Sequence, residues 1–134
     1  MKFPTKIPEK ISLNKEKNCL FLEFATKGDS LKFKLSAEYL RVYSPSAAMR
    51  DPSTGEQKLL AGKKWVLIAD IKHCGNYALK IIFNDGHSSG LYTWQYLCEL
   101  CHNKEKYWQT YLDRLHQAGA CRAPDEQIIK FISH

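Results

Sequence analysis

Long apolar runs are missing from this sequence. No stretch of about 18 consecutive apolar residues occurs, so no segment is predicted to span a membrane. The N-terminus is basic but lacks the apolar run of about 7–15 residues that a secretory signal needs. We therefore expect a cytoplasmic protein with no membrane partner.

A paired set of cysteines is missing, because their number is odd. The five cysteines are scattered along a chain that is large enough to have its own hydrophobic core. Disulfide frameworks are typical of small secreted domains with an even number of cysteines. We expect reduced thiols and no disulfide, as in a cytosolic protein.

A strong excess of one charge is also missing. The 20 Lys and Arg residues stand against 14 Asp and Glu residues, which gives a net charge of +6. Residues 1–34 contain eight lysines and four acidic residues, so the excess lies mainly in the N-terminal half. No continuous basic stripe with interleaved aromatic residues occurs, and nucleic acid is not predicted as a partner.

The pattern that is present is that of one α+β domain. A length of 134 residues is typical of a single folding unit. Apolar runs at 11–14 and 19–25, followed by alternating apolar and charged residues at 31–35, predict three antiparallel strands. Apolar runs at 65–72 and 77–83, with the turn residues 84–86, predict two further hairpins.

Each predicted helix follows a residue that favours an N-cap. The caps and their helices are Ser36 with 37–41, Thr93 with 94–102, and Asn103 with 104–119. The last helix carries an apolar stripe that we expect to pack against the sheet, formed by Trp108, Tyr111, Leu112 and Leu115. The fold class is therefore an α+β two-layer sandwich, with a mostly antiparallel sheet and C-terminal helices packed on one face.

Three segments carry a resemblance to a known family. Residues 40–46 (LRVYSPS), 75–79 (GNYAL) and 83–97 (FNDGHSSGLYTWQYL) resemble the gamma-butyrobetaine hydroxylase-like N-terminal domain family. That family includes stand-alone bacterial proteins of unsettled function, a domain appended to some iron–sulfur carrier ATPases, and the N-terminal part of carnitine-pathway oxygenases. This chain resembles the stand-alone members.

The resemblance also identifies the positions of a zinc site. In the oxygenases the domain binds a structural zinc through a Cys-x-Cys-x-x-Cys motif and the histidine of Asp-Gly-His, which correspond here to Ser44, Ser46, Met49 and His87. Neutral hydroxyls and a thioether bind zinc poorly, because they supply neither the charge nor the softness of thiolates. We expect this site to be lost and the protein to have no cofactor.

A second group of candidate metal ligands is Cys98, Cys101 and His102. Their spacing places them on one face of a helix, where His73 and Cys74 could complete a set of ligands for zinc or iron. The alternative, which we prefer, is that the cysteines are buried and act as small hydrophobic residues.

No catalytic set is assembled in the sequence. The catalytic domain of the oxygenases, with its iron-binding residues, is missing, and the neighbouring Cys–His pairs lack an orienting third residue. We hypothesise a non-catalytic cytosolic binding or adaptor module that contacts a partner protein or a second copy of the chain. The alternatives are a metal or iron–sulfur cluster handling accessory protein and, third, an enzyme of unknown reaction. The expected binding surface is the region of the second hairpin, with Asn76, Tyr77, Asp85, His87 and Tyr92.

The resemblance assigns residues 5–119 to the family domain and leaves 120–134 as a C-terminal extension. Asp125 and Glu126 favour the start of a helix, and Ile128, Ile129 and Ile132 would share one side of it. A lone helix of about eight residues is unstable in water. We expect this segment to dock on the domain's own sheet or on a second copy, and the alternative is a disordered tail.

Overall fold

The computed structural model describes residues 7–26 and 28–123. Within these ranges the strands are β1 (Lys10–Leu13), β2 (Cys19–Thr26), β3 (Asp29–Ser36), β4 (Ile68–Cys74), β5 (Ala78–Phe83) and β6 (Ser88–Thr93). The α-helices are α1 (Ala37–Val42), α2 (Trp94–His102) and α3 (Lys104–Ala118), and a short 3-10 helix covers Ala47–Met49.

The strands form two antiparallel sheets, with the orders β1-β2-β3 and β4-β5-β6. The β1–β2 turn is closed by Asn14, whose side-chain oxygen accepts hydrogen bonds from the backbone N–H groups of Asn18 and Cys19, both at 3.0 Å. The two sheets meet at this turn, because the backbone N–H of Ile68 donates to the carbonyl oxygen of Lys17 at 2.8 Å. The two predicted groups of antiparallel strands are therefore confirmed.

The main hydrophobic core lies between the sheets and the C-terminal helices. Both sheets and α2 contribute fully buried side chains to it, including Leu20, Leu35, Leu79, Ile81 and Leu97. Burial of one large aliphatic side chain stabilises a fold by about 1.5–3 kcal/mol. The predicted α+β class, with C-terminal helices against antiparallel sheet, is confirmed.

Two of the predicted helix caps are present and one is not. The hydroxyl oxygens of Ser36 and Thr93 accept hydrogen bonds from the backbone N–H groups of Tyr39 and Tyr96, at 3.0 and 3.1 Å. Asn103 makes no such bond at the start of α3. Its side-chain amide instead donates to the carbonyl oxygen of Glu99 at 2.9 Å, so Asn103 caps the end of α2.

The fourth strand begins later than predicted. Trp65 is 59 % exposed and precedes β4. The backbone N–H of Val66 donates to the carbonyl oxygen of Lys63 at 3.1 Å, which makes a turn at this point. The apolar run at 65–72 therefore includes a turn before its strand, a difference that composition alone does not reveal.

Part of the stripe on α3 packs in a different place from the one predicted. Tyr111 and Leu115 form a small second core with Val42, and the partly buried Leu59 and Leu60 pack against it. The hydroxyl of Tyr111 donates to the carbonyl oxygen of Leu60 at 2.6 Å. Helix α3 therefore uses Tyr111 and Leu115 to hold α1 and the long loop after it, whereas Trp108 also packs against the main core.

Among residues 7–26 and 28–123, none of the helices qualifies as a candidate membrane span. The predicted helix of Ile128, Ile129 and Ile132 lies outside the described residues. The part of the extension that is described, residues 120–123, follows α3 and packs against the body of the fold, where Ala123 is buried.

Candidate functional site

The β5–β6 turn gathers the charged side chains of the candidate site. Asp85 lies in this turn, and its Oδ1 accepts a hydrogen bond from the backbone N–H of His87 at 3.0 Å. Its Oδ2 accepts from Nε of Arg41 at 2.9 Å and from Nζ of Lys63 at 2.8 Å. Asp85 therefore joins the turn to α1 and to the long loop between α1 and β4.

These three charged groups are only partly accessible to solvent. The side chains of Arg41, Asp85 and Lys63 are 9 %, 18 % and 24 % exposed. Burial alone would raise the pKa of Asp85, but the hydrogen bonds from Lys63, from the His87 N–H and from Arg41 outweigh it and lower that pKa to about 2. Asp85 is consequently ionised at neutral pH, and one carboxylate faces two cations.

His87 joins the cluster through Ser44. The hydroxyl oxygen of Ser44 lies 3.1 Å from Nε2 of His87, and it also accepts a hydrogen bond from the backbone N–H of Ser46 at 3.3 Å. Burial, together with the positive charges of Arg41 and Lys63, lowers the pKa of His87 despite the opposing effect of Asp85. The ring is therefore neutral at neutral pH. We call Arg41, Ser44, Lys63, Asp85 and His87 the turn cluster.

A glycine in β6 allows the loop and the hairpin to come together. A Cβ atom at Gly90 would lie 3.0 Å from both the Cα and the backbone N of Ser46. Contacts this short between a side chain and backbone force the backbone to shift. The glycine of the Gly-Leu-Tyr-Thr-Trp segment thus has a definite role, since it lets the serine loop pack directly on the strand.

The four positions that the resemblance assigned to zinc lie in and beside the turn cluster, but their side chains do not suit the ion. Ser44 bonds to His87, whereas the hydroxyl oxygen of Ser46 accepts from the backbone N–H of Ala48 at 3.3 Å. The thioether sulfur of Met49 lies 3.4 Å from Nη1 of Arg41. Neutral hydroxyls beside a guanidinium group provide no negative charge to hold a divalent cation. The residues present therefore do not fit zinc.

The structure brings together only two of the five residues predicted for a binding surface, Asp85 and His87. Asn76 and Tyr77 lie in the β4–β5 turn, where their carbonyl oxygens accept from the indole and backbone N–H groups of Trp94 at 2.7 and 3.1 Å. Strand β5 separates the two turns by roughly 15–20 Å. Tyr92 has no exposed surface and belongs to the core.

Two members of the turn cluster, Arg41 and Lys63, were not identified from the sequence. They are 44 and 22 positions away from Asp85 along the chain. Arg41 is in a helix and Lys63 is in a loop with two other lysines, so neither stands out by its spacing. Only the packing of α1 and the loop against the hairpin reveals them.

The second candidate group lies elsewhere, around the end of α2. Cys98 and Cys101 are buried in the main core, and the exposed His102 packs its ring against Phe33 at 5.7 Å. Burial, with a smaller contribution from Cys98, raises the pKa of the Cys101 thiol to about 12. Across the described part of the chain, no three His, Cys, Asp or Glu side chains are placed to hold a metal ion.

We predict that the Cys101 thiol resists alkylation in the folded protein. Only the thiolate reacts, and a pKa of about 12 reduces its fraction at pH 8 by roughly a thousandfold relative to an ordinary thiol. The measurement is iodoacetamide labelling followed by peptide mass spectrometry, with the half-buried Cys74 as the internal reference. Labelling of Cys101 as fast as Cys74 would mean that the thiol is accessible and would restore it as a candidate metal ligand.

Comparisons with known proteins agree with the fold. The family model described as gamma-butyrobetaine hydroxylase-like, N-terminal, matches residues 11–98. Two NMR solution structures are similar to this chain: one is 42 % identical, with a TM-score of 0.75 and coverage of 90 % of this chain and 93 % of the other. The second is 39 % identical, with a TM-score of 0.71 and coverage of 91 % and 90 %.

A crystal structure is also similar, with 29 % identity, a TM-score of 0.54 and coverage of 69 % of this chain and 90 % of the other. It is that of a protein of unknown function from Acidithiobacillus ferrooxidans that belongs to the DUF971 family. Among the curated proteins, no match was found.

Proposed function

The chain belongs to the gamma-butyrobetaine hydroxylase-like N-terminal family, and we propose that it is a non-catalytic cytosolic binding module that holds an anionic group of a partner protein at its turn cluster. The family match covers no catalytic oxygenase domain. The proposal therefore rests on the side chains of the turn cluster, because a shared fold does not define a function.

The observation that carries this proposal is the excess of positive charge at one carboxylate. Arg41 and Lys63 both donate to the same oxygen, Oδ2 of Asp85, while the neutral His87 adds no negative charge. Lys63 is the most exposed of the three ionic side chains. A carboxylate or phosphate of a partner would meet a cation that is already positioned and partly desolvated, a setting in which charge-assisted hydrogen bonds are strong.

The geometry around His87 supports binding more than catalysis. Ser44 and His87 are within hydrogen-bonding distance, but Ser44 is only 4 % exposed. Asp85 contacts the backbone N–H of His87, and its other oxygen is bonded to the two cations, so it does not orient the imidazole as a catalytic triad requires. Handling of a metal or of an iron–sulfur cluster stays a hypothesis, since no contact among the described residues favours it.

Lys63→Ala provides the test of this proposal. This change removes the excess charge but leaves the Arg41–Asp85 pair in place, and loss of a partly exposed ion pair costs at most about 1 kcal/mol of stability. We expect the amount of partner recovered from a native lysate to fall about tenfold or more, the range for loss of one charge-assisted contact. Recovery with the wild type should also fall as salt is added.

Lys106→Ala is the matched control, because Lys106 is an exposed lysine of α3 away from the turn cluster. Both variants are first compared with the wild type by thermal unfolding. If the Lys63 and Lys106 variants recover the same proteins in the same amounts as the wild type, the turn cluster is not the binding surface.

A further inference from the structure

An open groove lies at the C-terminal end of helix α3. Its volume is about 280 Å³, and the residues that line it include Lys64, Leu112, Leu115, His116, Cys121 and Arg122. We call it the C-terminal groove. It has an apolar floor from α3 and a basic rim, and none of its residues belongs to the turn cluster.

The chain itself runs along the rim of this groove. After α3 ends at Gly119, which has a φ of 66°, the carbonyl oxygens of Cys121 and Arg122 accept hydrogen bonds from the backbone N–H groups of Gly62 and Lys64 at 2.9 and 3.0 Å. These bonds hold Cys121 and Arg122 beside the long loop, at the rim of the groove.

The Arg122 side chain fixes this arrangement. Its guanidinium group makes a two-point contact with the nearly buried carboxylate of Glu38, at 2.7 Å for Nη2 to Oε1 and 3.0 Å for Nε to Oε2. The same group lies over the ring of Trp108, 5.0 Å from its centroid. Two-point contacts between arginine and carboxylate restrict geometry as well as adding energy, and the position of Arg122 beside the groove is therefore well defined.

The charges of the groove and of the chain that follows are complementary. Lys64 lies over the ring of Trp65, 4.9 Å from its centroid, and no carboxylate of residues 7–26 or 28–123 forms an ion pair with it. Asp125 is three residues after Arg122, so its Cα lies within about 11 Å of the Cα of Arg122. Because the backbone N–H of Lys64 donates to the Arg122 carbonyl oxygen, the length of the chain between Arg122 and Asp125 allows an acidic side chain of the following segment to reach the Lys64 ammonium group.

The apolar residues are matched in the same way. Leu112 and Leu115 face the groove, and the chain that follows Asp125 and Glu126 contains Ile128, Ile129, Phe131 and Ile132. A sequence this apolar is unfavourable in water unless it is covered. We infer that the C-terminal groove is the docking site of residues 125–132 of the same chain. The inference rests on the position of Cys121 and Arg122 at the groove, on the complementary charges and on the matching apolar residues.

Cys121 is a built-in reporter for this docking. It lines the groove and is half-buried, whereas Cys74, also half-buried, lies on β4. We expect the alkylation rate of Cys121 in the full chain to rise at least about threefold when Ile128→Asp and Phe131→Asp are introduced together. A segment that covers the groove for two-thirds of the time leaves Cys121 accessible for one-third of it, and the two substitutions remove this protection. The rate at Cys74 should stay the same.

A charge exchange gives an independent arm of the experiment. Lys64→Glu should also expose Cys121, and adding Asp125→Lys to this variant should restore its protection, because the pair is then reversed in sign. All variants are compared at several protein concentrations, with the mass in solution measured in parallel.

Two results would overturn the inference. If the rate at Cys121 is the same in the wild type and in the Ile128→Asp and Phe131→Asp variant, the segment does not cover the groove. If protection rises with protein concentration together with the mass, the occupant is a second copy of the chain and not the chain's own segment. The experiment uses purified protein, so no unrelated partner protein is present to protect Cys121.

Discussion

Asp85→Asn is expected to lower the free energy of unfolding by about 1–2 kcal/mol at pH 7. The depression of the Asp85 pKa from 3.8 to about 2 corresponds to about 2 kcal/mol, and solvent screening at this partly exposed residue reduces that amount. The substitution keeps the shape of the side chain but removes the negative charge between Arg41 and Lys63. Arg41 is only 9 % exposed, so its charge cannot be hydrated in place of the lost partner. For a chain of this length the melting temperature should fall by roughly 4–8 °C.

The pH dependence follows from the direction of the same shift. Asp85 has a lower pKa in the folded chain than its ordinary value of 3.8, so its contribution to stability is complete above about pH 4 and is lost as the pH falls towards about 2. The difference in stability between wild type and Asp85→Asn should therefore be constant near neutral pH and should shrink between these two values. Chemical unfolding at a series of pH values measures it.

Asp113→Asn provides the control, because Asp113 is an exposed residue of α3 that bonds only to the nearby Gln109 among the described residues. This variant should change stability by no more than a few tenths of a kcal/mol. If Asp85→Asn were equally mild, the ion pairs at Asp85 would contribute nothing to the fold. Because Asp85→Asn is expected to destabilise the fold itself, partner binding is tested at Lys63 and not at Asp85.

The features that could be predicted from the sequence are those with local causes. Ser36 and Thr93 cap helices that begin one residue later, and Gly119 ends α3 with a positive φ. Each of these depends on a hydrogen bond or backbone angle within a few residues. The antiparallel strands were predictable for a related reason, since alternation of side chains and short turns are visible along the chain.

The features that could not be predicted depend on contacts between distant segments. Glu38 is an acidic residue in an apolar helix, and nothing in its neighbourhood indicates that it pairs with Arg122, 84 positions later. The stripe of α3 was recognised, but its partner surface is the loop containing Leu59 and Leu60, which has no regular pattern of its own. Periodicity identifies the face that is buried and not the surface that covers it.

The candidate site shows the same division. Asp85 and His87 were selected because they share one turn, and the structure places both in the turn cluster. Tyr92 was selected for the same surface from its position in the motif, yet its ring is fully buried and its hydroxyl donates to the carbonyl oxygen of Leu40. A sequence motif does not show which side of a strand faces the core unless the strand register is known.

The convergence of Ser44, Met49 and His87 leads to a prediction about metal binding. Ser44 contacts the His87 ring, Ser46 donates its backbone N–H to Ser44, and Met49 contacts Arg41 of the same cluster. The backbone thus brings the four positions that the family resemblance assigns to zinc into one region, although the side chains there do not suit the ion. Substitution of these side chains can therefore test whether the loop geometry by itself suits zinc.

A variant with Ser44→Cys, Ser46→Cys and Met49→Cys is expected to bind one equivalent of zinc, because three thiolates and an imidazole form a complete set of ligands. The neighbouring Arg41 would partly offset the negative charge of the thiolates. Free zinc at a thousandfold excess over its Kd should raise the stability of this variant by about 4 kcal/mol, and cobalt in place of zinc should give the absorption of a thiolate complex.

The same variant with His87→Ala is the control, since it lacks the fourth ligand and should bind zinc more weakly. Metal content after dialysis and thermal unfolding with and without zinc measure the difference. If the three-cysteine variant retained no metal and its melting were independent of zinc, the loop geometry itself would differ from that of a zinc site. The backbone, as well as the side chains, would then be unsuited to zinc. The hydrogen bond between Ser44 and His87 would occupy the place of the metal without preserving the geometry of its ligands.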